Sequence, residues 1–177
     1  MPGSSGSACE AALRRLATRS LASWRGLPPG CTVASVEALF PPRSPGEGVG
    51  FLGRSFRRVV YRPVSVEGFS QPVRVWSVDG LVVLMDVAHP ELAEPAGSLL
   101  AALGDPEVRL DLWWDDLLLA AGEWVYPARG LTLLLDPDSQ SVLHLAVYAV
   151  TSLTAYQDTL RLDMHAEDLP DDPDDVE

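Results

Sequence analysis

Residues 76–86 read Trp-Ser-Val-Asp-Gly-Leu-Val-Val-Leu-Met-Asp, and residues 126–136 repeat the pattern as Tyr-Pro-Ala-Arg-Gly-Leu-Thr-Leu-Leu-Leu-Asp. Each copy starts at an aromatic residue, reaches a glycine through three turn-forming residues, and continues as an apolar strand that ends at an aspartate. A Leu-Gly pair precedes each copy, at Leu52-Gly53 and at Leu103-Gly104. The repetition predicts two similar units in which the Gly-led stretches are equivalent central strands.

Outside this repeat the chain alternates helical and strand patterns. Apolar residues recur at helical spacing in residues 8–25. Thr32 is a plausible N-cap for a short second helix that Pro41-Pro42 would stop, and residues 41–50 indicate a Pro/Gly loop. Alternating or continuous apolar runs predict strands at residues 56–66, 73–76, 81–87, 108–113, 117–126, 131–136 and 142–149. The predicted fold class is therefore α+β, with two tandem helix-plus-antiparallel-sheet units in one continuous or clamped sheet.

The composition of the chain divides it into four segments. Residues 1–7 are small and polar and are predicted to be disordered. Residues 8–90 would form the first α+β unit with its N-terminal helix, and residues 91–162 the second. Residues 163–177 carry eight acids and two prolines. Such a composition cannot bury enough apolar surface to offset the entropy of ordering, so it predicts a disordered acidic tail.

The charge is unevenly distributed. The net charge is −12, but residues 1–81 hold ten arginines against five acids, and residues 82–177 hold three arginines against twenty acids. This balance disfavours nucleic-acid binding. It favours a basic protein partner, because opposite fields speed encounter. Acidity that merely keeps the protein soluble is the alternative.

Cysteine usage and hydropathy bear on the compartment. Cys9 and Cys31 are the only cysteines, too few for a disulfide scaffold, so two free thiols are expected. No apolar run approaches the ~20 residues of a membrane-spanning helix, and the N-terminus lacks the pattern of a secretory signal. These features predict a cytoplasmic protein without a membrane partner and leave its oligomeric state open. The functional hypothesis given below adds that the protein is bacterial.

The sequence around the repeat resembles a known tandem unit. Pro29-Gly30-Cys31-Thr32 precedes the first copy, and Leu103-Gly104-Asp105-Pro106 precedes the second. The pattern is similar to the repeat of the beta-lactamase inhibitor protein and of the small lipoprotein of the outer-membrane barrel-assembly machinery. The first unit departs from it by lacking a Pro after Leu-Gly, and the second by lacking a clear Gly-x-Thr. The resemblance implies a scaffold that binds other proteins across its sheet and performs no chemistry.

Catalytic and metal-binding patterns are weak. His144 with Asp136 or Asp138 could serve a small hydrolase or a metal-dependent enzyme, but a mid-strand histidine is more often structural. Asp163 and His165 beside Glu167-Asp168 could hold a cation, although a solvated tail explains them better. We expect no enzyme activity, no cofactor and no metal.

The acidic second unit offers candidate contacts for a protein partner. Adjacent Trp113 and Trp114 side chains point to opposite faces of a strand, so one of them should face away from the core. Trp beside acids suits an interface for a basic partner. The predicted partner-binding residues are Asp111, Trp113, Trp114, Asp115, Asp116 and Glu123. The predicted function is an immunity-type inhibitor that blocks a basic toxin or enzyme, and a secretion-system chaperone or adaptor is the alternative.

Overall fold

The computed structural model describes residues 4–43, 48–53, 57–114 and 117–162. Its helices are α1 (Ser4–Ala17), α2 (Val33–Leu39), α3 (Ala96–Leu103) and α4 (Leu153–Ala155), which runs into a π-helical turn, Tyr156–Leu160. Its strands are β1 (Gly48–Leu52), β2 (Arg57–Val64), β3 (Val73–Val78), β4 (Leu81–Ala88), β5 (Val108–Trp114), β6 (Leu117–Tyr126), β7 (Leu131–Leu135) and β8 (Val142–Tyr148). The α+β class is confirmed. No helix in the described ranges has the length and apolar character needed to cross a membrane.

The strands form one antiparallel sheet in the order β1-β2-β3-β4-β8-β7-β6-β5. Two runs of four strands therefore meet where β4 pairs with β8. The β3–β4 hairpin turns at Asp79 and Gly80, whose φ angles are +53° and +77°. Positive φ at both positions gives the turn that matches strand twist, as the Asp-Gly pair predicts. A continuous sheet is thus confirmed, while its division into two tandem units stays a prediction.

The two copies of the repeat do not hold equivalent places in this sheet. The first forms β4, the last strand of its run, and the second forms β7, the third strand of its run. Leu52-Gly53 ends a strand, whereas Leu103-Gly104 ends α3. The prediction of equivalent central strands is wrong, because the shared pattern encodes a strand that starts after a left-handed glycine. That local property does not determine the position of the strand in the sheet.

The N-terminal helix differs from the predicted range of residues 8–25. It begins at Ser4, within the stretch expected to be disordered, and ends at Ala17. Arg19 then takes a φ of +60°, which no helix continues through. Leu21 and Trp24 are buried, but they sit in the turns that follow, where Trp24 Nε1 donates to Gly130 O at 3.0 Å. Leu21 and Trp24 therefore continue the apolar spacing of the helix because both are buried, although neither belongs to a helix.

The predicted Pro/Gly loop over residues 41–50 contains the start of an edge strand, β1. This strand pairs with β2 from Leu52 opposite Arg57 to Gly48 opposite Tyr61. Pro63 of β2 lies beyond that pairing, so its missing N–H leaves the β1–β2 ladder intact. Residues 44–47 lie outside the described residues.

The two faces of the sheet are covered differently. One face packs against the helices in the main core, which includes Leu13, Leu16, Val36, Val75, Met85, Leu99, Leu133 and Val147. The opposite face, here called the inner face, carries Trp76, Leu84, Val125, Ala146 and Tyr148. The C-terminal segment, residues 151–162, lies on the inner face through Leu153, Tyr156, Leu160 and Leu162. Both faces are therefore occupied by the chain itself.

The sheet is strongly curved around this C-terminal segment. Gly53 N, at the end of outer strand β1, donates to Arg161 O at 2.6 Å. The Arg161 Nη2 atom donates to Asp111 O, on the other outer strand, at 2.9 Å. In a flat sheet of eight strands those two strands would lie roughly 34 Å apart, at about 4.8 Å per interval. One arginine can join both only because the sheet curls until its outer strands approach the same residue.

A disulfide joins Cys9 of α1 to Cys31, just before α2, with a Cα–Cα distance of 5.4 Å. The prediction of two free thiols is wrong. The cysteines are 22 residues apart in sequence, and only the packing of α1 against the core brings them together. Both are almost fully buried. Because cytosolic thiols are kept reduced, this bond counts against the predicted cytoplasmic location.

Removing the disulfide should lower the free energy of unfolding. Closing a loop of 22 residues removes entropy from the unfolded chain worth about 3 kcal/mol. We therefore expect a Cys9→Ala/Cys31→Ala chain to unfold at lower denaturant than the oxidised wild type. Reductant should shift the wild type in the same direction and leave the double variant unchanged; a wild type insensitive to reductant would mean that the bond is absent.

Candidate functional site

The end of the β5–β6 hairpin is an exposed apolar surface. Among the described residues, six large apolar side chains are strongly exposed, and three of them lie here: Trp113 at 48%, Leu117 at 61% and Leu118 at 46%. Trp113 pairs with Leu118, and the neighbouring pair is Trp114 with Leu117. Because successive strand residues face opposite ways, Trp113 and Leu118 share one face and Leu117 lies on the other. We call these three residues the hairpin patch.

The remaining predicted contacts at this hairpin are placed as follows. Asp111 is exposed two residues before Trp113. For Trp114 the structure describes the backbone only, and Asp115 and Asp116, which connect β5 to β6, lie outside the described residues. The predicted set of contacts did not include Leu117 and Leu118. A signal was present, since three consecutive leucines at the start of a strand must put apolar side chains on both of its faces.

Asp111 also has a structural task. The β5–β6 register shifts between Leu110 and Leu112, and Ala121 opposite this bulge has a φ of +52°. The Ala121 N–H donates to Asp111 Oδ1 at 2.8 Å, so the carboxylate satisfies a donor that the bulge removes from the ladder. Asp111 is thus an exposed acid whose carboxylate also holds the hairpin in shape.

Glu123 is not a surface residue. It is 2% exposed on the inner face, where Tyr156 OH donates to Oε1 at 2.6 Å and Arg161 Nε donates to Oε2 at 2.8 Å. Burial raises the pKa of Tyr156, and the Glu123 carboxylate raises it further, so the phenol remains a donor. Glu123 therefore anchors the C-terminal segment, and we exclude it from the partner surface.

A second buried carboxylate, Asp86, lies on the inner face with 0% exposure. Arg74 Nε donates to its Oδ1 at 2.7 Å, and the Trp76 indole N–H donates to Oδ2. His144 Nε2 lies 3.0 Å from Oδ1. Burial by itself would raise the pKa of Asp86. The hydrogen bond and charge of His144, the charge of Arg74 and the Trp76 hydrogen bond outweigh burial and lower it.

His144 and Asp136, which the enzyme hypothesis names, both have structural contacts in this fold, and the absence of enzyme activity stays a prediction. His144 is fully buried beside Asp86. Asp136 instead forms a turn, accepting hydrogen bonds from Asp138 N at 3.0 Å and Ser139 Oγ at 2.7 Å. Across the described ranges, no three His, Cys, Asp or Glu residues are grouped as a metal site would need. The possible cation ligands Asp163, His165, Glu167 and Asp168 lie outside the described residues.

Compared with protein-family models, with curated proteins and with solved structures, the chain shows no match. The resemblance to the tandem inhibitor repeat therefore stays a prediction. The function is argued from the surface and the charges alone.

Proposed function

We propose that this protein is a non-enzymatic protein-binding module, most concretely an immunity-type inhibitor that neutralises a basic toxin or enzyme. The hairpin patch carries the proposal, because it concentrates exposed apolar side chains at one end of an edge hairpin. Exposed apolar groups scattered singly are ordinary, whereas a cluster with an aromatic residue favours an interface.

The covering of the sheet supports this location. Helices pack on one face and residues 151–162 lie on the inner face, and every residue of β7 is buried, so a partner would not meet the middle of the sheet. The hairpin end is apolar on both sides, a shape suited to entering a concave site such as the active cleft of an enzyme. Residues 82–162 hold twelve acids against three arginines, a balance that complements a basic cleft.

The order of elements is consistent with two tandem units. Helix α2 precedes β1–β4, and helix α3 precedes β5–β8, so each run of four strands follows a helix. We propose that the two runs are sister halves joined at β4–β8. The same binding surface would serve a secretion-system chaperone or adaptor. If the partner loses its own activity on binding, the protein is an inhibitor; a chaperone or an adaptor would leave that activity intact.

Replacing the hairpin patch should weaken binding to the partner. We expect Trp113→Ala to raise the dissociation constant about 30-fold, corresponding to the ~2 kcal/mol of an interface hot spot. Leu117→Ser/Leu118→Ser should act in the same direction. The measurement is capture of a partner on the immobilised full chain at low ionic strength, followed by titration of the purified partner with each variant and an assay of its activity.

A matched control is available elsewhere on the surface. Val60 and Val150 are exposed by 39% and 57%, close to the values for Leu118 and Leu117, and lie outside the hairpin. Val60→Ser/Val150→Ser should leave binding unchanged. Equal losses in both double variants, or a captured partner that is acidic and binds independently of salt, would contradict the proposal.

A further inference from the structure

A cleft of about 480 Å³ lies where the C-terminal ends of α1 and α2 meet the loop between β2 and β3. Its volume is within the ~300–1,000 Å³ that is usual for small-molecule sites. The cleft belongs to the first half of the chain and shares no residue with the hairpin patch. We call it the helix-end cleft, and its lining includes Arg14, Arg19, Leu39, Phe40, Glu67 and Gly68.

Arg19 has a backbone conformation that glycine would adopt more easily. It lies just past the end of α1, where its N–H donates to Leu16 O at 3.0 Å, and its φ is +60°. Helices often end on such a left-handed residue, which is usually glycine because a Cβ raises its energy. An ion pair does not account for the arginine, since Nη1 is 4.0 Å from Glu91 Oε2 and the two side chains are 37% and 61% exposed. The strained position therefore indicates a use for the guanidinium.

The Arg19 side chain is also confined by its neighbours. Gly68, in the loop between β2 and β3, has a φ of +92°, and a Cβ there would lie 3.0 Å from both Cδ and Nε of Arg19 and 2.8 Å from Ala17 O. The Arg19 carbonyl accepts from Ala93 N at 3.2 Å. A guanidinium held at its stem loses less conformational entropy on binding than a freely rotating surface arginine. Arg19 is thus preorganised at the cleft.

Arg14 brings a second guanidinium to the same cleft. Its Nε and Nη2 atoms donate to Glu10 Oε1 at 3.0 and 2.8 Å, which orients the side chain along the surface of α1. Planar guanidinium groups match the geometry of a carboxylate and form charge-assisted hydrogen bonds with it. The basic part of the lining therefore fits a carboxylate ligand.

The rest of the lining is apolar or negative. Leu39 and Phe40, at the end of α2, supply apolar surface. Glu67 is an exposed carboxylate, and the C-terminal ends of α1 and α2 carry the negative ends of two helix dipoles. These groups would repel a simple anion. The ligand that complements the whole lining therefore has a cationic group and an apolar group beside its carboxylate.

We propose that the helix-end cleft binds a free α-amino acid with an apolar side chain. Arg19 and Arg14 hold the carboxylate, and Glu67 holds the ammonium group. Leu39 and Phe40 contact the apolar side chain. This inference goes beyond the proposed function and does not depend on it, because the cleft and the hairpin patch are built from different elements.

The experiment is isothermal titration calorimetry of the full chain with L-leucine and with L-phenylalanine. Three relatives of leucine each lack one recognised group: N-acetyl-L-leucine lacks the ammonium, L-leucinamide lacks the carboxylate, and glycine lacks the apolar side chain. We expect at least one of the two amino acids to bind with a dissociation constant below about 1 mM. Each relative should bind at least ~10-fold more weakly than L-leucine, because one charged or apolar group of the cleft is left without its partner.

Arg19→Gly separates binding from folding. Glycine suits the φ of +60° and removes the guanidinium, so this variant should be no less stable than the wild type and should bind at least ~10-fold more weakly. The matched control is Arg25→Gln, since Arg25 is an exposed arginine outside the lining; it should leave the affinity unchanged.

Three results would overturn the inference. These are a wild type that binds neither amino acid, an Arg19→Gly chain that binds as well as the wild type, and an equal loss of affinity in Arg25→Gln. The last would mean that the ligand responds to overall charge and not to the cleft. Capture of a protein partner is measured separately, so each of these results leaves the proposed function intact.

Discussion

Replacing Gly130 with alanine is expected to prevent stable folding. Gly130 has a φ of +59°, and a Cβ there would lie 2.0 Å from Tyr148 O and 2.8 Å from Gly26 Cα. Both are backbone atoms, and Tyr148 O is further held by the Leu27 N–H at 2.9 Å. Relief would require the start of β7, the end of β8 and the loop at Gly26 to move together. We expect the free energy of unfolding to fall by more than about 4 kcal/mol, which is a large part of the ~5–15 kcal/mol that stabilises a typical domain.

Gly80 provides the control, because it holds the corresponding position in the first copy of the sequence repeat. Its φ is +77°, and a Cβ would meet no atom within 4 Å. Gly80→Ala should therefore lower the free energy of unfolding by only about 1–2 kcal/mol, which is the cost of holding alanine in a left-handed conformation. The measurement is denaturant unfolding of both variants followed by far-UV circular dichroism. Equal losses would show that the close approach at Gly130 is not a constraint.

Local backbone chemistry could be predicted from the sequence, whereas the pairing of distant segments could not. The Asp79-Gly80 turn and the Thr32 cap, which accepts from Ser35 N at 3.1 Å, depend on neighbouring residues and are confirmed. The Cys9–Cys31 bond and the contact of Asp86 with His144 depend on how α1 packs and on the pairing of β4 with β8. No periodicity within one segment contains that information.

The candidate site shows the same contrast between what neighbouring residues determine and what distant segments determine. Strand alternation predicts that one of two adjacent tryptophans faces outward, and the structure has Trp113 exposed. Alternation alone could not place Glu123, because the residues that bury it, Tyr156 and Arg161, follow more than thirty positions later. A strand face counts as exposed only if no other part of the chain lies on it, and here the C-terminal segment does.

Removing the charge of Asp86 is expected to destabilise the inner face. Asp86→Asn leaves Arg74 and His144 without the carboxylate that both approach. Breaking a buried ion pair by removing one partner typically costs about 3–5 kcal/mol. We expect a loss of this size at neutral pH, measured as the free energy of unfolding. Asp105→Asn is the matched control, since Asp105 meets Arg109 on the surface at 3.2 Å and is itself 96% exposed; it should change stability by less than about 1 kcal/mol.

The pH dependence of the unfolding free energy distinguishes stabilisation by the ionised Asp86 carboxylate from stabilisation by side-chain packing. The folded-state pKa of Asp86 is lowered below the ordinary value of 3.8, so the unfolded chain takes up a proton first as the pH falls. The stabilisation is therefore complete above pH 3.8 and declines as the pH drops through the folded pKa. The difference in unfolding free energy between wild type and Asp86→Asn should shrink below that pH, while the wild type and Asp105→Asn should remain nearly parallel. A wild-type advantage over Asp86→Asn that stays constant under acid would show that packing, and not the ionised carboxylate, stabilises this cluster.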